Sequence, residues 1–600
     1  MLRRLGLVAA LAALLVAGSG VALAGTNPNA LAAPSGLTAR IATRSVELSW
    51  QSGGFPPGVT NPAVVVSRDG ASIATLPGGA TSFSDSAVTT GARHVYTVAD
   101  TASRGGLKLS SPQSNPAGVQ LPAYLVGAAT RDITPSVVVN LGGFGFGDGS
   151  TAVSQQLGPG SKAGPSDSHI QSRAVVVSDG KQTVALAVIE TQGYFVAYEA
   201  GAYGLEDMAN QVAHDEYPNL PADHILIASD HTHHGPDTIG VWGGVSTKYL
   251  QLVKDQTVGA IEDAYAARRF ASIRAGQSDA SDLIYNQSCP EALNQSKTPS
   301  YTGPDACATP GKDGMVRIVQ AVAPNGAVVV TQMVYAAHST TNMGNAIDGD
   351  WPQFLSDKMA ATFGGVGMGM EGANGGTQPC RPACSFTLPS NPGYNLDRFP
   401  AIIANYMAHV QDALAHSSFV TGPVGAAREY IREPIDGPFA AGLLTGGADL
   451  GAPIMRNHES PWVAAQTVRT VASAVRIGSL LYAGTPGEGY PAIRSGVAAA
   501  VTGASMVLQL GLADDQLGYL IAPASYAPAI YAEVAVNDNA LFNVSPTIGD
   551  HVMCSDITLA LSLGLDGSSP VTCAGYDALD ADGDPIGQVP VGGIVAPAVP

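Results

Sequence analysis

From Leu125 onward the chain alternates long apolar runs with Ala-rich stretches whose apolar residues recur at helical spacing, the pattern of a large α/β, mixed-sheet domain. Two hairpins are legible. AVVVSDGKQTVALAVIET turns at Asp179 and Gly180, and VRIVQAVAPNGAVVVTQMVYAAH turns at Asn325 and Gly326, residue pairs that tolerate a tight reversal. Helices are expected over residues 246–269, 400–416 and 463–474. Residues 34–121 read differently, as short alternating runs at Val46 to Trp50, Ala63 to Val66 and His94 to Ala99, separated by turns rich in Gly, Pro and Ser. That segment is expected to be a separate all-β unit. With 600 residues, 71 of them Gly and 41 Pro, the chain exceeds one ordinary core and favours many turns over a helical bundle.

Within the all-β segment, Trp50 in VELSW, the turn SRDG at Ser67 to Gly70 and Tyr96 in HVYTVAD supply large core residues for two packed sheets. This pattern resembles a fibronectin type III domain, a module that spaces or docks its neighbour and carries no chemistry of its own. The N-terminus reads as a secretory signal: Arg3 and Arg4, an apolar run from Leu5 to Leu23, and a small-residue site at Ala22, Leu23 and Ala24. A second such site at Ala30 to Ala32 leaves the cut open, and an uncleaved anchor is the alternative. The expected order is therefore a signal peptide over 1–24, a linker over 25–33, the β-sandwich over 34–121, the large domain over 122–575 and a tail over 576–600. The protein is expected to be secreted or at the cell surface, with possible peripheral membrane association.

Charge excludes one class of partner. Only 13% of residues are charged and the formal net charge is -19, so nucleic acid is not expected as a ligand. The six cysteines fall in three local pairs, Cys289 with Cys307, Cys380 with Cys384 and Cys554 with Cys573, which in an exported chain favours disulfides. A zinc-thiolate cluster lacks the doubled C-x-x-C spacing it would need. Sequence leaves the oligomeric state open.

Candidate chemistry concentrates at Ile225 to Pro236, ILIASDHTHHGP, where an apolar run stops at three of the chain's 12 histidines. Residues two apart on an extended chain face the same way, so His231 and His233 can face one site, with His234 turned to the other side. The competing view is an ordinary polar loop. Three further strand-like runs end in groups of the same kind: YAAHSTTN delivers His338, LLYAGTPGE delivers Glu488, and SMVLQLGLADDQLGY delivers Asp514, Asp515 and Tyr519. Functional groups of open α/β sheets collect past the carboxyl ends of strands. That places His231, His338, Glu488 and Tyr519 around one zinc ion per chain, with an open position for water. For Glu488 and Tyr519 taken singly, a loop carboxylate and a packing residue are the alternatives.

At this point residues 124–562 resemble the neutral, non-lysosomal ceramidase family. ASDHTHHGP resembles its T-H-T-H-S-G-P signature, YAAHST its second histidine segment, and AIDGDWPQF at Ala346 to Phe354 the stretch that follows. AGTPGE and LADDQLGYLIAPASY are similar to the segments with its metal glutamate and metal tyrosine, and ATRDITP, GGFG and PFAAGLLTGG fall in the right order. The resemblance implies zinc on His231, His338, Glu488 and Tyr519, with His233 and Tyr531 as polar groups near the scissile amide. Two positions depart from the family. Its active-centre serine falls on Gln378, leaving Thr377 as the nearest candidate hydroxyl, and its arginine falls on Gln287. Asp350 is a candidate to orient His338 or His233 by a hydrogen bond, or a structural aspartate.

The function so implied is zinc-dependent hydrolysis of an N-acyl amide, ceramide or a ceramide-like lipid. The alternatives are an ester or another N-acylated small molecule, which the two departures favour, and a non-catalytic surface protein that retains the metal. A serine triad is weaker, since no G-x-S-x-G elbow occurs.

Overall fold

The structure is a computed structural model that describes residues 29–136, 139–143, 168–198, 200–214, 217, 219–240, 244–286, 312–341, 347–379, 398–435, 463–464, 467–521, 543–545, 547–567, 577–579 and 585–588. The signal-like segment, Gln287, Tyr531 and every cysteine but the buried Cys554 lie outside these residues, and so do the expected disulfide pairings. Among the described residues no helix is long and apolar enough to cross a membrane.

Backbone contacts divide the chain into a smaller unit that ends at Val119 and a larger one that holds Gln120–Pro600. In the smaller unit Ser35–Ile41, Val46–Gln51 and Ser82–Asp85 form a three-stranded sheet. Thr60–Arg68, Ala71–Pro77, Arg93–Arg104, Leu107–Ser110 and Ala117–Gln120 form a five-stranded one. Trp50 and Tyr96 are buried, and the Tyr96 hydroxyl donates to Asp85 at 2.8 Å while Arg68 pairs with the same carboxylate. A buried tyrosine hydroxyl usually finds such a partner.

The larger unit is built on two mixed sheets. Nine strands make the first, in the order Ile225–Ser229, Thr183–Ile189, Gln171–Ser178, Tyr124–Asp132, Arg269–Asp279, Met315–Val322, Val328–Tyr335 and Val366–Glu371, with Ser418–Val420 beside Arg269–Asp279. The second runs Met506–Leu510, Leu480–Gly484, Thr467–Ile477, Val424–Pro434, Asp577–Leu579 and Pro585–Gln588, with Val463–Ala464 beside Thr467–Ile477. Both expected hairpins form, in the registers Ser178 opposite Thr183 and Val322 opposite Val328. The expected helix over 463–474 is strand instead. Its Val468, Thr470 and Val471 are β-branched and pair along Val424–Pro434, and a run buried on both faces loses the alternation that separates strand from helix.

Arg269–Asp279 serves both halves of the first sheet, pairing Tyr124–Asp132 through its first residues and Met315–Val322 through the rest. The sheet folds over at this strand, so that Tyr124–Asp132 packs against Val328–Tyr335 and Val366–Glu371. One core, holding Val126, Val184, Leu186, Val188, Met368, Met370, Tyr482 and Leu508, is shared by the folded sheet and the second sheet. Helices cover the other faces: Leu205–His214 and Thr247–Ala266, then Asp350–Phe363 and Arg398–Ala415, then Pro491–Ala500 and Ile548–Ser562.

Among the described strands of these two sheets most neighbours are antiparallel, but three pairs are parallel: Thr183–Ile189 with Ile225–Ser229, Val328–Tyr335 with Val366–Glu371, and Leu480–Gly484 with Met506–Leu510. Each pair is joined by a crossover that contains a helix, as parallel pairing requires. Parallel strands put their carboxyl ends side by side, and from these three pairs of ends the candidate site is built.

Candidate metal centre

His231, His233 and His338 bring one ring nitrogen each to within 4.8 Å of one another. His231 Nε2 lies 3.2 Å from His233 Nε2 and 3.4 Å from Glu488 Oε1, and His338 Nε2 lies 2.9 Å from Glu488 Oε2. The two imidazoles of the first loop meet as expected, by a different route. The strand stops at Ser229, and His231 takes a left-handed backbone with φ 55, so a kink rather than strand alternation aims both rings inward. His234 points to the other side of the loop, toward Asp348 and Asp350. Gly143, with φ +109, lies against His233, where a Cβ would stand 2.4 Å from Cγ of the ring.

Backbone carbonyls fix the tautomers. Nδ1 of His231 donates to the Gln192 carbonyl at 2.6 Å and Nδ1 of His338 to the Thr377 carbonyl at 2.8 Å. Each ring therefore turns its Nε2 toward the cluster, the orientation a metal-binding histidine needs. Glu488 is held by its amide on the Gly518 carbonyl and by parallel pairing with Tyr519, whose ring packs on His338 at 6.3 Å between centroids. Tyr490 stands edge-on to Tyr519 and over the Gly375–Gly376 turn.

Burial lowers the affinity of His231 for a proton, but the Glu488 carboxylate more than reverses this and lifts the ring to about 9. Glu488 is opposed by its own burial, yet His231 and His338 hold it well below the ordinary carboxylate range. Burial and the charges of His231 and His338 push His233 well below a free imidazole. Glu371, at the end of Val366–Glu371, is lifted to about 7 by burial.

The donor set fits a zinc ion. Imidazole nitrogens and a carboxylate are its ordinary ligands, and two donors at tetrahedral angles on bonds of about 2.0–2.1 Å stand roughly 3.3 Å apart. The separations of 2.9 and 3.4 Å from Glu488 to His338 and His231 bracket that figure.

Other expected site residues fall elsewhere. The Thr377 hydroxyl is committed to the carbonyls of Ala336 and Asn374, so this residue serves the cluster through its own carbonyl and not as an accessory hydroxyl. Asp350 was expected on His338 or His233, but its carboxylate accepts the Thr341 and Trp351 amides and faces His234. Gln378 lies opposite Tyr285 in a short ribbon and accepts the Thr340 hydroxyl at 2.7 Å. Asp514 pairs with Arg428 and caps the Ile227 amide, and Asp515 accepts Thr470 and the Val196 amide, so both brace strands. Sequence reasoning missed Gln192 and Thr377 as orienting groups because a carbonyl leaves no side-chain signal. Glu371 was within reach, as a carboxylate that closes an apolar strand.

This architecture is a large α/β domain of ceramidase-like fold. Among solved structures the chain is similar to the neutral ceramidase from Pseudomonas aeruginosa, at 18% identity and a TM-score of 0.57 over 74% of this chain and 75% of that one. It is also similar to a ceramidase complexed with C2, at 17% identity and a TM-score of 0.55 over 75% of this chain and 77% of that one. No family profile and no curated relative matches the chain.

Proposed function

We propose that the chain is a secreted, zinc-dependent hydrolase that cleaves an N-acyl amide bond of ceramide or a ceramide-like lipid. The observation that carries this reading is the buried meeting of His231, His233, His338 and Glu488 at the ends of strands from both sheets. The likeness in fold to two ceramidases supports the substrate class. His231, His338 and Glu488, with Tyr519 beside them, would hold the ion. Bound zinc supplies a Lewis acid and acidifies water toward neutrality.

The remaining steps belong to the chain. His233, kept neutral by burial and by its neighbours, takes a proton from attacking water and returns one to the leaving amine, which cannot depart as an anion. The carbonyls of Gln192 and Thr377 hold His231 and His338 in register, and Glu488 balances their charge. Tyr531 is proposed as a second polar group near the scissile bond, from the family resemblance. The N-terminal unit, read as a fibronectin type III spacer, takes no part.

Gln378 favours a second substrate class. An amide side chain already engaged by Thr340 stands where the family places a serine, so the acyl site differs and an ester or another N-acyl compound is the alternative substrate. The test is hydrolysis of N-acylsphingosine, N-acyl amino acids and acyl esters by the zinc-loaded protein. His231→Ala and Glu488→Ala are expected to lose both bound zinc and turnover. Full activity in both variants would remove the proposed site, and no turnover on any substrate by the wild type would favour the non-catalytic surface protein.

A further inference from the structure

His234 leaves the first cluster and enters a second. Its Nδ1 lies 3.5 Å from Asp348 Oδ1 and 3.6 Å from Asp350 Oδ2, and all three side chains are wholly buried. The three donor atoms lie within 4.8 Å of one another. An N–H···O bond spans about 2.7–3.2 Å, so these contacts are too long for good hydrogen bonds. They match donor atoms spread around an ion.

Charge leads to the same place. Two wholly buried carboxylates and one imidazole together offer the donor types and the negative charge that a divalent ion takes. A divalent cation with a neutral His234 balances the two carboxylates.

The donors are also held in place. Asp350 Oδ1 accepts the Thr341 and Trp351 amides, which leaves Oδ2 toward His234. The Thr232 hydroxyl donates to the Asp348 carbonyl at 2.7 Å, and the Asp348 amide donates to the His234 carbonyl at 3.3 Å. The two donor-bearing loops are therefore joined through the backbone on either side of the gap.

We propose that His234, Asp348 and Asp350 form a second divalent-cation site, distinct from the donor set of His231, His338 and Glu488. One imidazole with two carboxylates suits zinc or manganese better than magnesium, which prefers oxygen and keeps its waters. The ion pins the Asp348–Asp350 turn to the loop that carries His231 and His233. Its role is positioning, and the site does not depend on the hydrolase reading.

The full-length protein is stripped with a chelator and dialysed against zinc alone or manganese alone, and bound metal per chain is counted by plasma mass spectrometry. Wild type is expected to bind two ions. Asp348→Asn and His234→Gln are each expected to bind one, and His231→Ala is expected to keep the ion that those two lose. Circular dichroism checks that each variant is folded. Unchanged stoichiometry in whichever of Asp348→Asn and His234→Gln folds overturns the second site. So does a wild type whose single ion is lost in His231→Ala. Loss of an ion in His231→Ala by itself bears on the first site only.

Discussion

The Thr377 carbonyl accepts Nδ1–H of His338 at 2.8 Å, while the Thr377 hydroxyl donates to the carbonyls of Ala336 and Asn374. The hydroxyl thus holds the turn that aims the imidazole. Thr377→Val keeps the shape and removes those bonds. We expect metal affinity to fall by about tenfold, as for other changes behind a metal-binding histidine, with turnover per bound ion nearly unchanged. Titration against a zinc chelator, with kcat at saturating metal, separates the two. A large drop in kcat at full metal loading would restore a chemical role for the hydroxyl.

Gly143 lies under His233 with φ +109, and a Cβ there would stand 2.4 Å from the ring. Gly143→Ala therefore strains the backbone and displaces the imidazole. With His233 as proton carrier, the variant keeps its zinc and loses at least about tenfold in kcat. With His233 as a ligand, zinc is lost as well. Metal content measured beside activity decides between the two roles.

The ends of apolar runs were legible: His231, His338 and Glu488 each follow a strand whose hydrophobic pattern breaks off abruptly. What sequence hid was the topology. A mixed-sheet domain with four strand ends around one crevice was expected, but not that His231 and His338 sit near opposite edges of a sheet that folds over at Arg269–Asp279, nor that Glu488 and Tyr519 pair in a separate short ribbon that follows strands of a second sheet. Long-range pairing of that kind leaves no local signature. The left-handed backbone at His231 was likewise hidden, since histidine carries no glycine-like marker for it. Thr467–Ile477 misled because Val468, Val471, Ala472 and Val475 fall at helical spacing in a run buried on both faces. His234 reads from sequence as the least chemical of the three histidines, because its carboxylate neighbours, 114 and 116 residues away, cannot be placed beside it by any local pattern.

Glu429 and Asp556 meet in the core of the second sheet and its helices. Burial lifts Glu429 to about 7, and burial together with Glu429 lifts Asp556 well above its ordinary range. Both Asp556 oxygens lack a hydrogen-bond partner. A carboxyl that keeps its proton in the folded state and loses it in the unfolded state makes stability fall as pH rises between the two values. For Glu429 that window runs from 4.5 to about 7. Glu429→Gln is therefore expected to be more stable than wild type at pH 8, by an amount on the order of 3 kcal/mol, with the gap closing toward pH 4. Urea unfolding at pH 4.5, 6 and 8 reads this directly, and parallel curves for the two proteins would count against it.

Tyr519 touches the cluster through its ring, which packs on His338 at 6.3 Å and meets Tyr490 edge-on at 6.4 Å. Its backbone pairs with that of Glu488. Tyr519→Phe keeps the ring and removes only the phenol. If the phenol completes the zinc set with His231, His338 and Glu488, the variant keeps its melting temperature in chelator, because the packing is intact. Its zinc affinity then falls by at least about tenfold, because one of four ligands is gone. Unchanged affinity would make Tyr519 a packing residue, and the ion would be held by His231, His338 and Glu488 without it. Calorimetry in chelator and zinc titration on the same preparation give both answers.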